Sequence, residues 1–253
     1  MYPPPLARID ISTRRHQRIA AVSFAEFTLV HVRAGRKQVA DAGRAGNVTR
    51  GAYLAIAPGQ LLHIENRPPD DGRYVAVCLC VKRELLVLFD AFPRARPGDW
   101  AVMPATTALD QAFDHAERGL SDGLPESLLQ HRVAELLTAV ALGGFRPRHA
   151  RKLTMQERVR MLLAGDPAYA WKADAVAREL ATSSATMRRH LAREGRCFRD
   201  VLLDVRLAHA LALIQGTDKP LERVAEACGY ASTSHFSRHF RERHGCAPSD
   251  LRD

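Results

Sequence analysis

The chain has 253 residues, of which 46% are hydrophobic, so we expect two domains of ordinary size, each able to bury a core. The formal net charge of +9 is divided between both halves; it permits binding to nucleic acid without identifying the half that binds. A basic protein can also bind a membrane surface, but the chain offers no continuous basic amphipathic helix of the kind that such binding uses.

The N-terminal segment and the cysteines indicate a cytoplasmic protein. The first residues, MYPPPLARIDIS, lack the apolar core of a secretory signal, and no stretch is long enough to span a membrane. The number of cysteines, five, is odd, and no two of them form a CxxC motif. Cys78 and Cys80 would share one face of a strand, so buried structural thiols are favoured over redox sensing. These features fit a reducing compartment.

The first half of the chain is predicted to be rich in β-structure. Residues 1–20 are expected to form a loose arm and a first strand, and short strands follow up to residue 81. Several short strands at near-regular spacing predict a small barrel or sandwich. The predicted strands are 27–32 and 37–41, which would pair as a hairpin, then 51–56, closed by Pro58-Gly59, and finally 61–64 and 74–81.

Helical periodicity begins after residue 81. We predict a short helix over 82–92, a second over 108–118, and an amphipathic helix over 126–142. The last of these carries an apolar stripe that either packs on its own domain or forms a dimer contact. The stripe consists of Leu129, Val133, Leu136, Leu137 and Val140. Gly, Pro and basic residues then predict a flexible linker over 146–152.

Residues 220–245 have the pattern of a helix, a turn and a second helix. Pro220 can open the first helix, Gly229 can supply the turn, and Ser232 can cap the second helix. Phe236 and Phe240 lie four residues apart and would pack inward. The opposite face carries Ser234, Ser237, Arg238 and Arg241. Short polar side chains and arginines on such a face suit the DNA major groove, although a plain helical hairpin with a solvated outer face would share this pattern.

A second copy of this pattern lies upstream, over about 172–194. Val176-Ala177 repeats Val224-Ala225, and Met187 and Leu191 repeat the two phenylalanines. An internal repeat of this size favours two equivalent modules over a single hairpin. Residues 198–214 have helical spacing without Pro or Gly and predict one helix that connects the two units.

These residues resemble the DNA-binding domain of the AraC/XylS transcription regulators. Residues 220–252, PLERVAEACGYASTSHFSRHFRERHGCAPSDLR, are similar to the second helix-turn-helix signature of that family, and residues 174–195 match the first more loosely. Leu251 stands where the family has tyrosine, which changes a packing group. The resemblance implies two helix-turn-helix units joined by a long helix, with both recognition helices on one face of the duplex.

The first half is similar, more faintly, to the cupin-type sensor domain of the same family. The resemblance implies a sensor or dimerisation domain over 1–145, the linker over 146–152 and a DNA-binding domain over 153–253. Because many cupins are metal enzymes, a metal enzyme with a degenerate helical domain stays an alternative, as does a protein-interaction module. His31 and His63 each stand alone, with Glu65 near the latter, so pocket or structural roles are favoured over a metal site.

The predicted function is therefore that of a DNA-binding transcription regulator, an activator, with no catalytic residue, no metal and no cofactor. No HExxH, GxSxG, GxGxxG or GxxxxGK[ST] motif argues for catalysis. The resemblance implies double-stranded DNA and RNA polymerase as partners and allows a homodimer, while the effector, a small molecule or a protein, is left open. The positions expected to face DNA are Ser183, Ser184, Ala185, Thr186, Arg188 and Arg189 in the first unit and Thr233, Ser234, His235, Ser237 and Arg238 in the second.

Overall fold

The fold is that of a computed structural model, which describes residues 5–148 and 153–253. The described residues divide into two compact units, residues 5–148 with Asp253 and residues 153–252, and we describe each by itself. The N-terminal domain combines two β-sheets with helices, and the described part of the C-terminal domain is helical. The predicted two-domain α+β class is confirmed.

The N-terminal domain begins with eight strands and ends with two helices and short strands. Its strands are β1 Leu6–Thr13, β2 Gln17–Phe24, β3 Phe27–Ala34, β4 Arg36–Ala40, β5 Ala45–Val48, β6 Tyr53–Ile56, β7 Gln60–Arg67, β8 Tyr74–Val81, β9 Arg96–Gly98, β10 Trp100–Met103 and β11 Phe145–Pro147. Its helices are a 3-10 helix over Arg83–Ala91, α1 Thr107–Ser121 and α2 Glu126–Leu142. The helix predicted over 126–142 has these bounds in the structure.

Two antiparallel sheets form the β-structure. One contains five strands in the order β1-β8-β3-β6-β10, and the other contains four in the order β2-β7-β4-β5. The sheets face each other, because the Lys37 ammonium of β4 lies 5.4 Å from the ring centroid of Tyr74 in β8. A Cβ atom on Gly46 of β5 would likewise lie 2.8 Å from the Trp100 ring of β10. The space between the sheets is therefore a packed interior.

Of the two predicted β-architectures, the barrel is wrong and the sandwich is confirmed, and the predicted hairpin is wrong. Among the described residues no hydrogen-bonded ladder joins the two sheets, so they form an open two-layer arrangement. β3 pairs with β6 and β8, whereas β4 pairs with β5 and β7. Gly35 is the only residue between β3 and β4, and its φ of +78° carries the chain from one sheet to the other. The sequence correctly predicted a turn at this position, but the turn connects strands of two different sheets and does not close a hairpin.

The outer face of the five-stranded sheet is covered by α1 and α2. Leu29 and Leu79 of the sheet share one buried core with Phe113 of α1 and Val133 of α2. All five residues of the predicted apolar stripe on α2 are buried within their own domain. Of the two alternatives for this stripe, packing on its own domain is confirmed, and a dimer contact through the stripe is excluded.

The predicted linker begins too early. Residues 145–147 form β11, which pairs in parallel with β9, and Phe145 is buried against Gly98. The pairing joins positions almost fifty residues apart, so local Gly and Pro content could not reveal it. Residues 149–152 of the predicted linker lie outside the described residues.

The C-terminal domain contains six helices and a terminal 3-10 turn in its described part. These are α3 Met155–Ala164, α4 Ala173–Glu179, α5 Ser184–Arg193, α6 Phe198–Gly216, α7 Leu221–Ala227, α8 Thr233–His244 and the 3-10 turn Pro248–Leu251. The connecting helix predicted over 198–214 is α6. Leu251, which stands where tyrosine was expected, is buried as a packing group.

Two helix pairs pack on α6. In the first, Val176 of α4 and Met187 and Leu191 of α5 share a core with Val201 and Val205 of α6. In the second, Val224 and Ala225 of α7 and Phe236 and Phe240 of α8 are buried, as are the α6 positions Leu207, Ala210, Leu211 and Ile214. The repeat in sequence thus corresponds to two similar units along one helix.

The cysteines are free thiols. Cys78 and Cys228 are buried and Cys80 and Cys246 are half-buried, as predicted for structural thiols, whereas Cys197 is exposed. Burial raises the pKa of the Cys78 thiol to about 12, which keeps it protonated and unreactive at neutral pH. Cys197 departs from the prediction because it precedes α6 at the N-cap position, which lies at the surface.

Candidate nucleic-acid interface

The second helix-turn-helix unit is built around the turn at Gly229. This residue has φ +74°, a conformation that favours glycine, and α7 ends just before it. A Cβ atom there would lie 2.6 Å from Nη2 of Arg206 and 2.8 Å from the Ala168 carbonyl oxygen. Only glycine therefore allows the α7–α8 turn to approach α6 this closely.

Helix α8 is fixed at both ends and along its inner face. The Ser232 hydroxyl accepts a hydrogen bond from the backbone N–H of His235 (3.4 Å), which confirms the predicted cap. Gly245, with φ +73°, ends the helix. Phe236 and Phe240 are fully buried, and the ring centroids of Phe236 and Tyr230 lie 5.4 Å apart. This packing determines which face of α8 points outward.

The first unit repeats this construction. The Ser183 hydroxyl caps α5 by accepting from the backbone N–H of Thr186 (3.1 Å), and Met187 and Leu191 are fully buried. The turn before α5 contains Ala181 with φ +51°, a left-handed conformation that a non-glycine residue adopts at some cost. The two recognition helices, α5 and α8, are thus oriented by equivalent contacts.

The structure places all eleven predicted DNA-facing residues at the surface or half-buried. In α5, Ala185, Arg188 and Arg189 are exposed. In α8, Ser234, His235 and Arg238 are exposed, whereas Thr233 and Ser237 are half-buried. The arginines therefore project from both helices into solvent, where a duplex could meet them.

Several of the polar side chains in the first unit already have partners. The Ser183 hydroxyl donates to the Thr186 hydroxyl (2.9 Å) in addition to capping the helix. Asp174 of α4 accepts from the Ser184 hydroxyl and lies 3.7 Å from Nη2 of Arg188. Ser183 thus serves mainly to hold the helix, and Arg188 is directed toward α4. Arg189 is the better candidate for contact with a base.

A buried carboxylate that the sequence interpretation missed joins the two units. Asp204 of α6 is 6% exposed and pairs with three arginines from different parts of the domain. Arg243 of α8 lies 3.1 Å and Arg160 of α3 lies 3.6 Å from its oxygens, and Arg196, before α6, forms the shortest contact. The signal was present in the sequence, because Asp204 interrupts the apolar face of the connecting helix.

The lone histidines of the N-terminal domain have structural surroundings. The His31 ring stacks on Tyr53 with centroids 4.4 Å apart and meets Phe113 edge-on. Burial lowers the pKa of His31, and the nearby Arg33 guanidinium adds to this effect. Glu65 pairs with His16 (2.7 Å) and with Arg67, and His63 is exposed. Over residues 5–148 and 153–253, no three His, Cys, Asp or Glu side chains are grouped as a metal site.

No helix in the described ranges is both long and apolar enough to cross a bilayer.

Comparison with known proteins agrees with the geometry of the C-terminal domain. Residues 176–253 match a family model described as a helix-turn-helix domain. The chain is 36% identical over 91 residues to the urease operon transcriptional activator of Escherichia coli. The aligned region covers 36% of this chain and 31% of that protein. It is 41% identical over 96 residues to the ornithine utilization regulator of Pseudomonas aeruginosa, over 38% of this chain and 28% of that protein. The match thus spans about a third of the length of these curated relatives.

Solved structures of one other protein are similar to this chain over nearly its whole length. One of them is the crystal structure of ToxT from Vibrio cholerae with a bound unsaturated fatty acid, with a TM-score of 0.67. The similarity covers 99% of this chain and 96% of that chain at 14% sequence identity. At this identity the comparison shows a common two-domain fold and nothing further.

Proposed function

We propose that the chain belongs to the AraC/XylS family through its helix-turn-helix domain and is a sequence-specific DNA-binding transcription regulator. The observation that carries this proposal is the orientation of α5 and α8. Each buries an apolar inner face against the domain and projects an arginine-bearing outer face into solvent. Two curated relatives carry the names of a transcriptional activator and a regulator, and we propose activation through contact with RNA polymerase.

We propose that the two recognition helices enter two successive major grooves on one face of the duplex. Successive grooves are about 34 Å apart along the DNA. Helix α6, with 19 residues, is about 28 Å long at the usual rise of an α-helix. A single rigid helix of this length is suited to hold two units at roughly one helical turn of DNA.

Specificity would come from a few side chains on each recognition helix. Arg189 and Arg238 can bond the guanine edge in a bidentate manner, or bond phosphate instead. The short side chains around them would allow close approach to the bases. The proposed contact positions are Ser183, Ser184, Ala185, Thr186, Arg188 and Arg189 in α5 with its cap, and Thr233, Ser234, His235, Ser237 and Arg238 in α8.

The N-terminal domain would sense an effector, form a homodimer, or do both. Since the ToxT crystal structure holds an unsaturated fatty acid, a small apolar acid is one class of effector to test, alongside a protein effector. We assign the chain no catalytic activity. We propose that it acts in the cytoplasm.

Selection of bound genomic fragments by the purified full-length protein tests this function. A regulator of this kind should enrich fragments with one shared motif that contains two half-sites. The Arg189→Ala, Arg238→Ala double variant should lose the enrichment while keeping its thermal unfolding midpoint, since both side chains are exposed. Fragments recovered without a shared motif by the wild-type protein would contradict the proposal.

A further inference from the structure

A cavity of 310 Å³ lies within the C-terminal domain beside the second recognition helix. Arg199 and Arg206 of α6 form one wall, and Tyr230, in the α7–α8 turn, forms another. His235 and His239, one helical turn apart on α8, complete the polar lining. The cavity is therefore framed by the elements that also position α8.

The lining of this cavity favours an anion. Among the described residues that line it none is acidic, and two are arginines. Arg206 turns inward, where its Nε and Nη2 donate to the carbonyl oxygens of Pro167 (3.0 Å) and Tyr169 (3.1 Å), so it shapes the wall. Arg199 is exposed and can reach a ligand at the rim.

The histidines add neutral hydrogen-bonding groups to this positive frame. Burial lowers the pKa of His239, and the neighbouring His235 adds to this effect, so His239 is uncharged at neutral pH. Its Nδ1 atom lies 3.4 Å from the Tyr230 hydroxyl, which leaves Nε2 available as a second site of hydrogen bonding. The fixed positive charge at the cavity therefore comes from the arginines.

The cavity lies along one flank of α8, the flank that carries His235 and His239. On a helix, His235 and His239 lie next to the outer face that carries Ser234 and Arg238, and their ring centroids are 4.6 Å apart. A helix whose outer face enters the major groove has a phosphate backbone running beside each flank. The flank with the two histidines and Arg199 would therefore face one strand of the duplex.

We propose that this cavity receives one phosphate of the DNA backbone beside the groove that α8 enters, with Arg199 as its charged contact and the Nε2–H of His239 as a neutral donor. The Tyr230 hydroxyl would donate to Nδ1 of His239 and so fix the tautomer that carries this proton. This inference rests on the proposed function. The cavity is larger than a phosphate alone, and its apolar lining, from Leu202, Leu203 and Ala231, suits the attached deoxyribose. Such a contact would set the depth and register of α8 without reading a base.

Titration of full-length protein onto duplex DNA at several salt concentrations tests the proposal. One duplex carries the selected motif and a second carries the same bases in scrambled order. Arg199→Gln should weaken binding to both by about tenfold at low salt, as expected for one lost charged hydrogen bond. The slope of log affinity against log salt should become shallower by about 0.9, the value for one phosphate.

Two matched variants separate a local contact from overall charge. Arg199→Lys keeps the charge and should retain the salt slope of the wild type. Arg50→Gln removes one positive charge from an exposed turn of the N-terminal domain and should also retain it. An Arg199→Gln variant with the wild-type slope, or one that weakens only the motif duplex, overturns the proposal.

The cavity could instead bind a free anion from solution. Inorganic phosphate is the probe for this alternative. If phosphate at constant ionic strength raises the unfolding temperature of the wild type but not of Arg199→Gln, while DNA binding is equal for both, the cavity serves a small anion and the proposal is overturned. If the wild type binds neither duplex, the proposed function itself fails and this inference fails with it.

Discussion

At the scale of single residues, an arginine can contact DNA more readily if it is not already paired with an acidic side chain of its own helix-turn-helix unit. Arg188 is drawn toward Asp174, whereas its neighbour Arg189 is exposed on the next position of the same helix. An exposed ion pair contributes little to stability, but it biases the direction of a long side chain. Arg189 is for this reason the first residue to test.

Arg189→Ala is expected to cost about 1–3 kcal/mol of binding free energy and to relax the preference at one base pair, because a bidentate contact to guanine would be lost. A mobility-shift titration against single-base variants of the site, at two salt concentrations, measures both effects. Arg94→Ala, at an exposed position of the N-terminal domain, is the control. Uniform weakening of all sequences with a shallower salt slope would assign Arg189 to phosphate, and unchanged affinity would remove it from the interface.

A second residue-scale prediction concerns the interior of the N-terminal domain. Lys37 is 4% exposed, and its ammonium donates to Oδ1 of Asn66 (2.6 Å). Burial lowers the pKa of Lys37 from 10.5 to about 8. Between these values the unfolded chain holds a proton that the folded chain has released, so the free energy of unfolding rises with pH. Below about pH 8 both states are protonated, and the penalty for the buried charge, about 3 kcal/mol, is fully present.

Lys37→Met is therefore expected to raise the free energy of unfolding by about 2 kcal/mol at neutral pH and to flatten its rise between about pH 8 and 10.5. Urea denaturation across this pH range measures both quantities. Lys219→Met, at an exposed position between α6 and α7, should change neither. If Lys37→Met instead lowers the free energy of unfolding at neutral pH, the buried ammonium stabilises the folded protein and the prediction is wrong.

At the scale of elements, the C-terminal domain is held together by apolar packing along α6 and by the charge cluster at Asp204. The three arginines come from α3, from the segment between α5 and α6, and from α8, so one carboxylate of α6 links these three parts of the domain. Removing it would leave three guanidinium groups facing one another with little access to water. The cluster thus ties α8 to α6, to α3 and to the segment that follows α5.

Asp204→Asn is expected to lower the free energy of unfolding by about 3 kcal/mol, the usual cost of breaking a buried ion pair on one side. Chemical denaturation of the full chain measures this change, with the transition of the C-terminal domain followed separately if the domains unfold in two steps. Asp218→Asn, which removes an exposed carboxylate after α6, is the matched control. Equal unfolding midpoints for Asp204→Asn and the control would show that the cluster contributes nothing to stability.

The helices and strands also differ in how well the sequence predicted them. Local periodicity was sufficient for α2, for α6 and for both helix-turn-helix units, because each buries a stripe of its own residues. The pairing of β3 with β8 and of β11 with β9 joins segments about fifty residues apart, and no local pattern encodes such partners. The turn at Gly35 was recognised, but glycine at positive φ permits a sheet crossing as readily as a hairpin.

The candidate site was predictable to a similar extent. The cap at Ser232, the turn at Gly229 and the inward phenylalanines follow from their spacing in the sequence. The outward face of α8 is then the face opposite the phenylalanines. The cap at Ser183 was not predicted. The partners of Ser184 and Arg188 on Asp174 were not predictable, because they depend on how α4 packs against α5. The three arginines around Asp204 were missed for the same reason.

At the scale of the whole molecule, the proposed function requires two DNA-contacting units at a fixed separation. The units share α6, and their cores are continuous with it, so neither can move far without disrupting packing. A protein built in this way should bind an elongated site asymmetrically, since α5 and α8 carry different side chains. It should also tolerate no change in the distance between its half-sites.

Hydroxyl-radical footprinting of the full-length protein on the selected fragment tests this requirement most directly. We predict two protected clusters on the same face of the duplex, centred about 10 base pairs apart, which is one turn of B-DNA. Arg189→Ala should weaken protection in one cluster and Arg238→Ala in the other. A single protected cluster, or two clusters on opposite faces, would contradict the account.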